Sequence, residues 1–215
     1  MEKERKEKMN TNLAMDLEPK RISYEELLKF DDDKRYELID GVPYLMASPR
    51  VAHQKILLDI ATQIGNYLKG KTCEVFISPL DVKLSGEPDD SKEFNVVQPD
   101  IMVVCDKNKI TEKNIQGAPN LAIEILSPSN PSHDRLLKLN LYQKFGVKEY
   151  WIVSLEEKII SVFILNDEGI YTIPKAYYLD EKVKVNISED CYIDLKEFCE
   201  ENNIIVKRES LNEEE

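Results

Sequence analysis

Two apolar runs, Ile101 to Val104 and Leu121 to Leu126, are dense enough in hydrophobic residues to be central strands covered on both faces. Glu149 to Ser154 reads as a third buried strand. Between them lies a helical stretch from Ser132 to Phe145, closed by Gly146, with Leu137, Leu141 and Phe145 as its buried stripe. Upstream, Ile56, Ile60, Ile64 and Leu68 recur every four residues, Leu57 and Ala61 broaden the stripe, and Gly70 ends it. This predicts a long helix packed on a sheet, opened by Ser48 as cap and Pro49 as first helical residue.

Shorter elements surround this core. Ser23 and Glu26 have capping-box spacing and open a short helix through Phe30, ended by Asp31-Asp32-Asp33. Arg35 to Ala47 reads as two strand arms about Asp40-Gly41, a dipeptide suited to a hairpin turn. Strand-like runs follow at Glu74 to Ser78 and Asp81 to Leu84, then a polar loop from Ser85 to Asn95. Ser127 to Pro131 is rich in turn residues. Lys158 to Leu165, Ile170 to Ile173 and Lys182 to Ile187 suggest late antiparallel strands, one turn of which is Asn166 to Gly169, and Asp194 caps a terminal helix through Glu201. The predicted organisation is a charged tail over 1–20, one domain over 21–201 and an acidic tail over 202–215.

Within this pattern Glu124 is conspicuous. An ionised carboxylate inside a buried strand costs roughly several kcal/mol unless a cation or donor compensates it. Pro99-Asp100 opens the run beside it. On its strand Glu124 shares a face with Ala122 and Leu126, so it has room at its side. Two carboxylates on neighbouring strands suit a hard dication such as Mg²⁺. The competing reading is a buried acid paired with a lysine or arginine. Lys138 follows Asp134 by four, the spacing of an ordinary helix-surface ion pair.

At 215 residues, the chain can bury a sizeable core. No apolar stretch approaches the roughly 20 residues of a membrane span, and the charged N-terminus is unlike a signal peptide, so a cytoplasmic protein without a membrane partner is expected. With 29 basic and 41 acidic residues the net charge is −12, which argues against tight non-specific binding to nucleic acid. Part of that acidity lies between Glu197 and Glu215, and a local cleft with a bound dication can still hold phosphate. Cys73, Cys105, Cys191 and Cys199 form no C-x-x-C pair, and His53 and His133 are the only histidines, so structural zinc is not expected. Cys73 and Cys105 read as buried thiols, and nothing calls for an oxidising compartment. Ser132-His133-Asp134 has the residue types of a catalytic triad, but adjacent residues cannot form its geometry. Tyr150-Trp151 reads as core.

Several ordered motifs go further. Arg35 to Gly41 (RYELIDG), His53-Gln54, Gln98-Pro99-Asp100, Gly117 to Leu121 (GAPNL), Glu124 to Ser129 (EILSPS), Asp134 to Lys138 and Gly146 to Val153 (GVKEYWIV) resemble the Uma-two family, a group of endonucleases of the PD-(D/E)XK superfamily. The resemblance covers Ile22 to Phe198. It implies an α/β fold with a restriction-endonuclease-like core, a central mixed β-sheet flanked by helices and additional antiparallel strands. It further implies hydrolysis of DNA phosphodiester bonds by metal-activated water, with Mg²⁺ or Mn²⁺ held by Asp100 and Glu124 and by the backbone carbonyl of Ile125. Leu126 stands where that superfamily usually carries its catalytic lysine, and the resemblance transfers this role to Lys138 on the following helix. Glu37 is either a third acid of the site or an outward residue of the first hairpin. His53 is either a surface histidine or a support beside the ligands. Two other readings remain open: a catalytically silent binding or regulatory module, and an assembly protein whose late strands pair across a homodimer.

Overall fold

The computed structural model describes residues 20–31, 33–126 and 133–208, with only the backbone for 133–135. The expectations for the N-terminal tail, Asp32, the 127–131 turn, Ser132 and the last residues of the acidic tail lie outside the described residues.

The capping box at Ser23 forms: its hydroxyl accepts the Glu26 N–H, and Glu26 accepts the Ser23 N–H at 2.8 Å. The helix it opens, α1 (Tyr24–Leu27), is shorter than expected. β1 (Tyr36–Ile39) and β2 (Val42–Leu45) make the hairpin. Asp40 and Gly41 have φ of 47° and 81°, as a two-residue turn of that twist requires. The long helix α2 (Val51–Leu68) starts later than Ser48-Pro49 predicts. Arg50 occupies the cap position in extended conformation without a side-chain bond, so Ser48 and Pro49 stay in the connection and the buried stripe begins at His53.

β3 (Glu74–Ile77), β4 (Val82–Lys83), β5 (Val96–Val97), β6 (Ile101–Val104), β7 (Ile115–Gln116) and β8 (Leu121–Ile125) follow. Then come α3 (His133–Phe145), β9 (Glu149–Ser154), β10 (Ile159–Ile164), β11 (Lys175–Tyr178), β12 (Lys182–Lys184), β13 (Tyr192–Asp194) and α4 (Lys196–Glu201). β10 pairs along its length with Lys175–Tyr178, while the expected hairpin about Asn166 to Gly169 closes only as a short bridge, Leu165 with Tyr171 and the Thr172 N–H to the Ile164 carbonyl at 2.9 Å. Tyr171 turns inward onto Tyr150 and Phe163, whereas Ile170 and Ile173 are exposed. Leu195, not Asp194, holds the cap position of α4, although Asp194 still accepts the Lys196 N–H at 3.1 Å.

The central sheet has the order β11-β10-β9-β8-β6-β3. It is mixed because β8 and β9 run parallel, joined through α3, while its other neighbours are antiparallel. A second sheet, β2-β1-β5-β4-β7, and the β12-β13 ribbon complete the architecture. The α/β fold with a central mixed sheet between helices is therefore present. Alternation assigns the faces. Ile101, Val103, Leu121, Ile123 and Trp151 pack with Ile56, Ile60 and Ile64 of α2. Met102, Val104, Ala122, Tyr150 and Ile152 pack with Leu141 and Tyr142 of α3 and with Ile39, Val82 and Val97 of the second sheet. Each fully buried aliphatic side chain contributes about 1.5–3 kcal/mol, so coverage on both faces is what makes continuous apolar strands stable here.

Two expectations are corrected. The buried face of α3 is centred on Leu141 and Tyr142, and Leu137 is only half-buried. Cys73 and Cys105 are not thiols but a disulfide. Antiparallel β3 and β6 pair Glu74 with Val104, which sets the two cysteines opposite each other one step further on. The expectation of two buried thiols falls with it, and so does the ground for reading nothing that calls for an oxidising compartment. Cys191 and Cys199 are buried free thiols. Among the described residues no helix is long and apolar enough to cross a membrane.

Candidate active site

Register brings the two acidic residues together. β6 pairs with β8 as Ile101 with Ile123, so Asp100 lies opposite Glu124 one step further along. Asp100 Oδ2 accepts the backbone N–H of Ile125 at 2.8 Å, which ties the two strand ends at the site. The same oxygen lies 3.1 Å from His53 Nε2, on the first turns of α2. Across the sheet, α3 delivers Lys138 and Tyr142, four residues apart and hence on one face. Glu124 Oε1 accepts from Lys138 Nζ at 2.9 Å and from the Tyr142 hydroxyl at 2.6 Å. Lys138 Nζ also donates to Glu37 Oε1 at 2.9 Å. Glu37, on β1 of the second sheet, accepts the Gln98 N–H at 2.9 Å through the same atom. Asp100 Oδ1 and Glu124 Oε2 take part in none of these contacts.

The cluster is shielded: the side chains of Glu37, Glu124 and Lys138 are 8%, 11% and 13% exposed. Burial pushes the Glu124 carboxyl up from 4.5 to about 7; the charges of Asp100 and Glu37 add to the rise, against the pull of Lys138 and the Tyr142 hydrogen bond. Burial works against the Lys138 ammonium, but Glu124 and Glu37 outweigh it and hold its pKa well above 10.5. For His53, burial opposes protonation while the hydrogen bond and charge of Asp100, then Glu124, favour it, for a net rise. Two carboxylates thus share one lysine, with the Asp100 carboxylate facing Glu124 beside them, leaving surplus negative charge in a poorly hydrated place.

Asp100, Glu124, Lys138, Glu37 and His53, all picked from the sequence, lie in one contiguous network. Glu37 points inward, and His53 is buried against Asp100 instead of lying on the surface. Lys138 pairs with Glu124 and Glu37; the Asp134 side chain is outside the described residues, as is the Ser132-His133-Asp134 set. Tyr150 and Trp151 are core, as expected. Tyr142 was missed, although its position four residues after Lys138 is a signal that the stripe through Leu137 obscured. Among the described residues no group of three or more His, Cys, Asp or Glu side chains is arranged to hold a metal ion. Any ion would have to rely on Asp100 and Glu124 with backbone or water oxygens.

Residues 23–191 match the Uma2 family, described as "Putative restriction endonuclease". The chain belongs to this family. A relative at the sequence level is "Uncharacterized protein slr1290" of Synechocystis sp., 30% identical over 156 residues, which are 71% of this chain and 79% of that protein. A crystal structure of "a putative nuclease belonging to DUF820" from Anabaena variabilis superposes with a TM-score of 0.61 over 76% of this chain and 89% of that one. At 21% identity the second likeness concerns the fold alone.

Proposed function

We propose that this Uma2 chain is a metal-dependent endonuclease that hydrolyses DNA phosphodiester bonds with water. The observation that carries the reading is the opposed pair Asp100 and Glu124, with Asp100 bonded to the Glu124 strand through the Ile125 N–H and Glu124 backed by a lysine. The donor set fits Mg²⁺ or Mn²⁺: two carboxylates with oxygens outside the internal contacts, an excess of negative charge, and a Glu124 carboxyl that burial, with the charges of Asp100 and Glu37 adding to it, keeps from ionising easily. Asp100, Glu124 and the Ile125 carbonyl would hold the ion. When bound it would activate water and offset phosphate charge.

The chain's own residues do the rest. His53 and the Ile125 N–H fix the Asp100 carboxylate, and Tyr142 fixes Glu124. Glu37 holds Lys138 from the second sheet, so its ammonium stays charged and pointed at the site. A fixed ammonium of this kind stabilises negative charge as it develops on the phosphoryl oxygens. The test is incubation of the pure protein with plasmid DNA and Mg²⁺ or Mn²⁺. Cleavage that chelator abolishes is the expected result; DNA binding without cleavage would identify a silent module of the same fold.

A further inference from the structure

Beside the acidic cluster lies a cavity of about 240 Å³, bounded by the connection from β2 to α2 and the turn after β3. Arg35, Ser48, His53, Gln54, Ser78 and Asp100 supply its polar lining. Because it shares His53 and Asp100 with the candidate active site, whatever occupies it abuts the reacting position.

We propose that this cavity is a subsite for a second phosphate of the substrate strand, next to the scissile one, held by the Arg35 guanidinium. The inference rests on the nuclease reading and names a contact within it. Arg35 is the only lysine or arginine among the lining residues. The Asp100 carboxylate disfavours an anion there unless a cation faces it, and Arg35 supplies that cation in a form that binds phosphate through two parallel donors. The hydroxyls of Ser48 and Ser78 and the Gln54 amide add neutral donors. The first turn of α2 has neither a side-chain cap nor an acidic residue, so its N–H groups are not already taken by a carboxylate. His53 Nδ1, on the same wall, is buried and has no partner among the described residues. Whole small-molecule sites occupy about 300–1,000 Å³, so this smaller space suits one segment of a longer polymer.

The test is binding of a fluorescent oligonucleotide at several salt concentrations, with Ca²⁺ as the dication and the strand checked for cleavage afterwards. Arg35→Gln should weaken binding about tenfold at low salt and lower the slope of log affinity against log salt by about 0.7–0.9, the share of one phosphate contact. Arg35→Lys should keep the parental slope. Lys182→Gln, which removes the same charge on β12, should match the parent throughout. The Arg35 backbone carbonyl, which accepts the Met46 N–H at 2.9 Å, is untouched by these changes, and parental melting temperatures would verify the fold. Parental affinity and slope in Arg35→Gln would overturn the subsite while leaving cleavage, and so the nuclease reading, intact. Weaker binding at an unchanged slope would also overturn it, since the lost contact would not be to a phosphate. A parent that neither binds nor cleaves would remove the nuclease reading and the subsite together.

Discussion

Glu149 on β9 and Glu124 on β8 lie on adjacent parallel strands, and both carboxylates are buried. Glu149 accepts from the Trp151 indole at 2.7 Å, the Asn186 amide at 3.0 Å and the Ile187 N–H at 2.9 Å. All three donors are neutral and belong to the framework, so the carboxylate fastens the β12 end of the fold to the central sheet. Glu124 instead shares one ammonium with Glu37 and faces Asp100. The first arrangement is closed, with its acceptors answered by donors. The second keeps an electrostatic demand that a dication would meet. Burial of an acid is common to both, and only the partners separate a strut from a site.

The sharpest way to break this contrast is to remove the strut. Glu149→Ala strands the buried Trp151 indole and takes this acceptor from the exposed Asn186 amide and the half-buried Ile187 N–H, and should cost about 3 kcal/mol by urea denaturation, while the folded fraction keeps the parental cleavage rate. A cost below about 1 kcal/mol, or a selective loss of cleavage, would erase the distinction.

Lys138→Met tests the other side. It retains the aliphatic stem but not the ammonium, so cleavage should fall by about 10²-fold while Mn²⁺ and DNA binding stay near the parental level. Cleavage at the parental rate would make Lys138 a structural counter-ion only.

A third effect is one of pH, spread gradually over a window of more than two pH units. With Glu124 at about 7 in the folded chain against 4.5 otherwise, the folded protein binds more protons between those values. Its metal-free stability should therefore fall as pH rises from about 4.5 to about 7, by up to about 3 kcal/mol from this group. The Lys138 ammonium stays charged throughout and adds no slope. Urea midpoints across this window, with chelator, should lose that decline in Glu124→Gln; an unchanged decline would assign it to other groups.

Legibility followed the length and purity of the signals. β6, β8 and β9 were readable because strands covered on both faces are almost wholly apolar, and the Asp40-Gly41 hairpin and the Ser23 box because each rests on chemistry within a few residues. β5, β7 and β13, of two or three residues, are too short for any period to show. The Cys73–Cys105 bond depends on the β3–β6 register, which neither strand states by itself. In α3, a stripe drawn through apolar positions passes over Lys138, because a charged residue turned inward toward two carboxylates violates the very pattern being sought. The Asp100 and Glu124 pair was legible for the same reason reversed: an acid amid apolar neighbours is a violation visible in the sequence. The Glu37 contact was not, since it joins β1 of the second sheet to α3 across 101 residues of chain.

The central claim is that the surplus charge around Glu124 exists to bind a dication, and calorimetric titration of the pure protein with Mn²⁺ tests it most directly. The account predicts one ion per chain in the parent and none in either Asp100→Ala or Glu124→Ala. Unchanged affinity in both variants would contradict it.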